Sequence, residues 1–184
     1  MQRDLVLRAR NGDHDAFASL ATDAYDRLHR TARLILRRED LASDAVQEAL
    51  TSAWLHIRAV RDPDRFDAWL NRLIVRACYQ ELRRARRGPI EIHVDGIEPP
   101  GVDDSTGSLA DRDQLERGFQ RLSPEHRAVL VVHHYLGLRD AEAATVLDVP
   151  MGTYKSRLNR AHLSLRAALE ADERSTSVGK ESVA

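Results

Sequence analysis

Apolar residues recur at three- and four-residue steps through the first half of the chain. Phe17, Leu20, Ala24, Leu28, Ala32 and Ile35 form one stripe. Val46, Leu50, Ala53, Trp54 and Ile57 form a second, and Phe66, Trp69, Leu70, Leu73, Ile74, Ala77 and Leu82 a third. This is the period of an amphipathic helix, and the stripes predict three helices that bury one another's apolar faces. Asp62-Pro63 lies between the second and third, and a residue before proline disfavours helix, so a break is expected there. From Gly88 to about Ser108 the period vanishes among prolines, glycines and acids, which predicts a linker extended by its prolines and charge. The brief alternation Ile90, Ile92, Val94 is too short for a stable strand alone.

Helical patterning resumes at about Leu109. Ser123-Pro124-Glu125 supplies an N-cap residue followed by proline at the first helical position. Gly137 is placed to end the helix that follows. A short helix is expected over Arg139 to Leu147, then a break at Asp148 to Gly152, then a final helix from Thr153, its expected cap, to about Ala171. The pattern predicts an all-α chain of two small helical domains, residues 1–87 and 109–171. A linker over 88–108 joins them, and a disordered tail over 172–184 follows.

Charge sharpens this division. The chain has 184 residues and a net charge of −1, but residues 1–87 carry 17 basic and 13 acidic side chains. Residues 88–113 carry one basic and seven acidic, and 114–184 carry ten and nine. Near-neutrality therefore hides two basic lobes joined by an acidic tether. A single cysteine, Cys78, excludes an internal disulfide framework and a cysteine-built zinc site, which fits a reducing compartment. The longest apolar run, Ala128 to Val132, is far short of the ~20 residues that span a bilayer. No signal-peptide pattern opens the chain, so a cytoplasmic protein without membrane insertion is expected.

Candidate chemistry lies in three polar faces. Two short helices joined by a tight turn at the end of the second lobe form a helix-turn-helix pattern. A helical wheel turns Tyr154, Leu158, Ala161 and Leu165 inward and Lys155, Ser156, Asn159 and Arg160 outward, with Arg157 on the flank. Thr153 to Arg166 holds four positive charges and no acid. Such a face can donate to base edges in a major groove and to phosphates; it fits equally a solvated, arginine-rich helix. Arg65, Arg72, Arg76, Arg83 and Arg87 follow steps of seven and four, a basic stripe able to track a nucleic-acid backbone. Asp44, Gln47, Glu48 and Thr51 share an acidic, polar face unsuited to DNA and suited to a basic protein partner.

The order of these pieces resembles a known family. Asp44-Ala-Val-Gln-Glu-Ala-Leu through Trp54, then Phe66-Asp-Ala-Trp-Leu and an arginine-rich helix end, is similar to region 2 of sigma factors. Leu122-Ser-Pro-Glu-His-Arg, then Val149-Pro-Met-Gly-Thr-Tyr-Lys-Ser-Arg-Leu-Asn-Arg-Ala, is similar to their region 4. With no room for regions 1 or 3, the chain resembles the short extracytoplasmic-function (ECF) group of the sigma-70 family.

The resemblance implies a dissociable subunit that binds core RNA polymerase and directs promoter-specific initiation. By that analogy Asp44, Gln47, Glu48 and Thr51 face the clamp helices of the polymerase β′ subunit, and the second lobe meets the β flap. Arg58, Arg61, Arg65, Arg72, Arg76 and Arg83 hold the −10 element. Thr153, Lys155, Ser156, Arg157, Asn159 and Arg160 read the −35 element, and an anti-sigma protein is a candidate partner lodged between the lobes. Departures from the family pattern include Asp148 where a glycine is common in the turn, Ala143 for a larger aliphatic, Ser43 for an acid, and Tyr154 for a smaller β-branched residue.

Two other classes compete with this reading. An ordinary helix-turn-helix regulator would leave the region 2 pattern without a purpose. An enzyme or metalloprotein would have to use the histidines, yet adjacent His133 and His134 diverge by about 100° on a helix. No phosphate loop or nucleophile motif appears. Neither catalysis, a cofactor nor a metal site is expected.

Overall fold

The structure, a computed structural model, describes residues 1–85 and 109–181. The expected linker over 88–108, Arg87, and the final residues 182–184 lie outside the described residues. The first lobe contains α1 (Gln2–Arg10), α2 (His14–Leu36), α3 (Glu39–His56) and α4 (Phe66–Ala85). The second contains α5 (Leu109–Gln120), α6 (Pro124–Leu130), α7 (Asp140–Val146) and α8 (Met151–Glu181). No strand occurs among the described residues.

The three apolar stripes become the interior of the first lobe. Leu20, Leu28, Ala32 and Ile35 of α2 are buried with Val46 and Ala53 of α3 and with Leu70, Ile74 and Ala77 of α4. Trp54 rests on Phe17 and on the ring of His14. A fourth helix, α1, adds Val6 and Ala9 to this core. The stripes do not predict it, because those two buried residues are too few to set a period. Asn11-Gly12-Asp13 turns the chain into α2: Gly12 takes φ +95°, and the Asp13 carboxylate caps the helix by accepting from Ala16 N at 3.0 Å.

The expected break after α3 is two short 3₁₀ turns, Ile57–Ala59 and Pro63–Arg65. Asp62 starts the second by accepting from Asp64 N at 3.1 Å. Arg3 reaches Asp64 at 2.6 Å and Gln2 reaches Asp67 at 3.1 Å, so α1 holds this corner from outside.

In the second lobe Ser123 caps α6, its hydroxyl accepting from His126 N at 3.2 Å. The chain then widens into a π turn over Val131–Tyr135, in which Leu136 N donates to Val131 O. Gly137 leaves it at φ +61°, as expected of a helix-ending glycine. Asp148 adopts φ +54° in the turn between α7 and α8, the left-handed conformation that makes glycine common there.

Two expectations are corrected at α8. The helix starts at Met151 with Tyr154 N bonded to Pro150 O, so Thr153 lies inside the first turn and is not its cap. Pro150 supplies the boundary, because it donates no N–H and reaches the helix before Thr153 does. The helix also runs past Ala171 to Glu181. Its Ala, Leu, Arg and Glu content favours continuation, and no proline stops it.

The lobes meet. Arg127, at the start of α6, is 6% exposed, and its Nε donates to Ile35 O at 2.8 Å near the C-terminus of α2. The same guanidinium donates to Leu122 O at 2.6 Å. Arg37 follows α2 in a left-handed conformation and donates to Gln120 O at 2.6 Å. Two cations thus satisfy carbonyls that helix ends leave open.

Candidate nucleic-acid interface

Helix packing positions the acidic face first. Ala42, Ala45, Val46, Ala49 and Ala53 bury one side of α3 against α2 and α4, which leaves Asp44, Gln47, Glu48 and Thr51 exposed together on the other. Among the described residues neither Asp44 nor Glu48 forms an ion pair, so their charge is presented to solvent.

Arg58 and Arg61 extend from the corner after α3, and Arg65 from the second 3₁₀ turn. Arg72, Arg76 and Arg83 line the outer side of α4, whose inner side carries Leu70, Ile74, Val75 and Cys78. All six arginines are exposed. One described ion pair touches them, a 3.8 Å contact from Arg65 to Asp62. Uncompensated cations along a helix suit a polyanion.

Arg61, Arg65 and Arg72 also line a cleft of about 480 Å³ with Val60 and Trp69. Its far wall belongs to the second lobe: Leu138, and Ala141, Glu142, Thr145 and Val146 of α7. Nothing in the sequence pattern points to this cleft, since periodicity within one lobe carries no signal for what the other lays against it.

On α8, Tyr154 and Ala161 are fully buried while Leu158 and Leu165 are half-buried against the core, as the wheel predicts. The Tyr154 hydroxyl meets His133 Nδ1 at 2.9 Å. Thr153, Lys155, Ser156, Asn159 and Arg160 are exposed on the opposite side. Arg160 folds back along the helix, donating to Ser156 O at 3.3 Å and to its hydroxyl at 3.2 Å. Arg157 is half-buried and lies beside the Tyr79 hydroxyl of α4, so it faces the first lobe. Burial pushes the Tyr79 phenol up, and Arg157 opposes that shift.

Burial, then repulsion from Arg37, lowers the Arg127 guanidinium to about 10, which still leaves it charged at neutral pH. The lone thiol of Cys78 is buried, and desolvation pushes it well above its ordinary range, so it is no reactive centre. No described helix is long and apolar enough to cross a membrane.

A helical lobe with an acidic face and a basic stripe thus packs against a lobe carrying a basic helix-turn-helix. Residues 20–88 match the family Sigma-70 region 2, and residues 112–165 match Sigma-70, region 4. The chain belongs to the ECF group of the sigma-70 family, the factors that direct promoter-specific transcription. It is 35% identical over 158 residues to the ECF RNA polymerase sigma factor SigM of Mycobacterium tuberculosis, covering 86% of this chain and 79% of that one. It is 32% identical to the RNA polymerase sigma-E factor of Streptomyces avermitilis over 88% of this chain and 89% of that one. Among solved structures, CnrH in complex with the cytosolic domain of CnrY is 28% identical, with a TM-score of 0.63 over 93% of this chain and 98% of that chain. The fold is also that of the sigma factor RpoE bound to the anti-sigma factor NepR from Bartonella quintana, at 24% identity and a TM-score of 0.68 over 85% and 98% of the two chains.

Proposed function

We propose that the three exposed faces divide the work of initiation among themselves. Asp44, Gln47, Glu48 and Thr51 dock on the basic clamp helices of β′, and the second lobe meets the β flap. Arg58, Arg61, Arg65, Arg72, Arg76 and Arg83 grip the strand opened at the −10 element. Thr153, Lys155, Ser156, Asn159 and Arg160 enter the duplex at the −35 element, with Arg157 joining once it leaves Tyr79. The functional units are residues 1–87 and 109–171, with 88–108 as the tether. The observation that carries this reading is the segregation of charge, one acidic face and two basic ones on separate helices, each backed by a buried apolar side. The protein itself makes and breaks no bond and works in the cytoplasm, where polymerase and chromosome are.

Promoter geometry requires the lobes to part. The −10 and −35 elements lie about 25 base pairs apart, roughly 85 Å at 3.4 Å per base pair. In the closed arrangement Arg72 and Thr145 line one cleft. Residues 88–108, fully extended, reach roughly 70 Å, which with the span of the lobes themselves covers the separation. The same cleft has Arg61, Arg65 and Arg72 with Asp62 on one wall, Glu142 on the other, and apolar surface at Val60, Trp69, Leu138 and Val146, which suits an amphipathic anti-sigma segment whose acids meet the arginines.

A charge-swap experiment tests the division. Asp44→Lys with Glu48→Lys is expected to abolish binding to core polymerase while leaving the fold and −35 duplex binding intact. Lys155→Ala with Arg160→Ala is expected to do the reverse. Loss of both activities in either folded variant would overturn the assignment of separate faces.

A further inference from the structure

We propose that His134 and His162 form a two-imidazole site for a first-row divalent cation of the Ni²⁺ or Cu²⁺ type, at the junction of the π turn and α8. The two Nε2 atoms stand 2.9 Å apart although the residues are 28 apart in sequence, and both side chains are exposed. Two imidazole nitrogens bound at about 2.05 Å to one ion stand about 3 Å apart, so a rotation that turns both ring lone pairs toward a common point lets the pair exchange its hydrogen bond for the ion. Imidazole suits this class of metal, and tetragonal nitrogen–oxygen geometry marks Ni²⁺ and Cu²⁺.

The π turn builds the pair. Its extra residue per turn leaves His133 directed at the Tyr154 hydroxyl, 2.9 Å from its Nδ1, with Asp140 at 3.9 Å. His134 is turned across the rim to α8, its ring edge-on to that of His133. Single π turns inside helices recur at functional sites. Among the described residues no group of three His, Cys, Asp or Glu side chains converges on a metal position, so water completes the coordination.

An ion here ties the π turn to α8. His162 also follows Lys155 and Asn159 on the exposed side of α8, so the ion adds positive charge beside the face proposed for the duplex. That consequence rests on the proposed reading of α8; the site itself does not.

The test is calorimetric titration of untagged, full-length protein with Ni²⁺ in a non-chelating buffer, paired with thermal melting. One saturable equivalent is expected, with a raised melting temperature because the ion binds the folded state. His134→Gln and His162→Gln should each weaken binding by at least about tenfold without changing the metal-free melting temperature. His56→Gln, an exposed histidine on α3, should bind as the unaltered chain does. Absence of a saturable equivalent, unchanged binding in both Gln variants, or an equal weakening in His56→Gln would reduce the pair to a plain imidazole–imidazole hydrogen bond and overturn the site.

Discussion

Arg127 shows how much one side chain can do away from any polar face. Its guanidinium is buried, charged and bonded to two carbonyls, Ile35 O and Leu122 O, rather than to a carboxylate. Replacement by Ala leaves those acceptors without a donor, a cost of about 1–3 kcal/mol, and loosens the seam between the lobes. Chemical denaturation of Arg127→Ala should read that cost. On α8 the wheel separates two kinds of residue. Tyr154 is fully buried, and Tyr154→Ala should cost about 3–5 kcal/mol and unfold the second lobe. Lys155→Ala or Arg160→Ala should leave stability unchanged, weaken duplex binding and lower the salt slope by about one for each phosphate the variant no longer reaches. Binding isotherms at several salt concentrations, alongside melts, distinguish the two outcomes.

Helices carry the next level, and here the pattern of the chain reads unevenly. α2, α3 and α4 are legible because each has five or more apolar residues at helical spacing, and α8 because its buried Tyr154 and Ala161 oppose a run of polar residues. The start of α8 misleads because Thr153 looks like a cap, while Pro150 a few residues upstream already sets the boundary. The π turn is illegible because Val131 and Val132 fit an ordinary α-helical turn equally well; the wider register matters only once His133 meets Tyr154 from α8. The acidic α3 face and the basic α4 stripe are legible as faces, but their exposure depends on packing.

The α5–α8 seam has a pH dependence of its own. Asp172 accepts from Arg117 Nε at 2.9 Å and from Arg121 at 3.4 Å. The hydrogen bond from Arg117, with the charges of Arg117 and Arg121, holds its carboxyl below the ordinary carboxylate range. Its contribution is therefore complete above the unfolded-state value and disappears as pH falls through the lower folded one. Asp172→Asn should melt earlier than the unaltered protein at pH 7, and the gap should close in strong acid. A gap that persists there would remove the ion pair from the account.

At the scale of the whole molecule, the arrangement described is closed. The hydrogen bonds that close it join residues far apart in sequence, Arg127 to Ile35 across 92 positions and Arg37 to Gln120 across 83, which no local period can signal. The cleft that results puts Arg61, Arg65 and Arg72 opposite α7. On the proposed reading, a chain that reaches two promoter elements exchanges this seam for contacts with polymerase and DNA. Arg127→Ala should accordingly raise the affinity of the isolated protein for a −10 single strand, read by fluorescence anisotropy with a labelled oligonucleotide. No change in affinity would mean that the seam does not gate that surface.

The measurement that bears most directly on the whole account is run-off transcription by purified core polymerase over a pool of promoter fragments, with polymerase binding scored in the same reaction. The unaltered protein should bind core polymerase and yield transcripts absent without it. Asp44→Lys with Glu48→Lys should remove both the binding and the transcripts, and Lys155→Ala with Arg160→Ala the transcripts alone. A protein that grips duplex DNA yet neither binds core polymerase nor yields a transcript from any fragment would contradict the account.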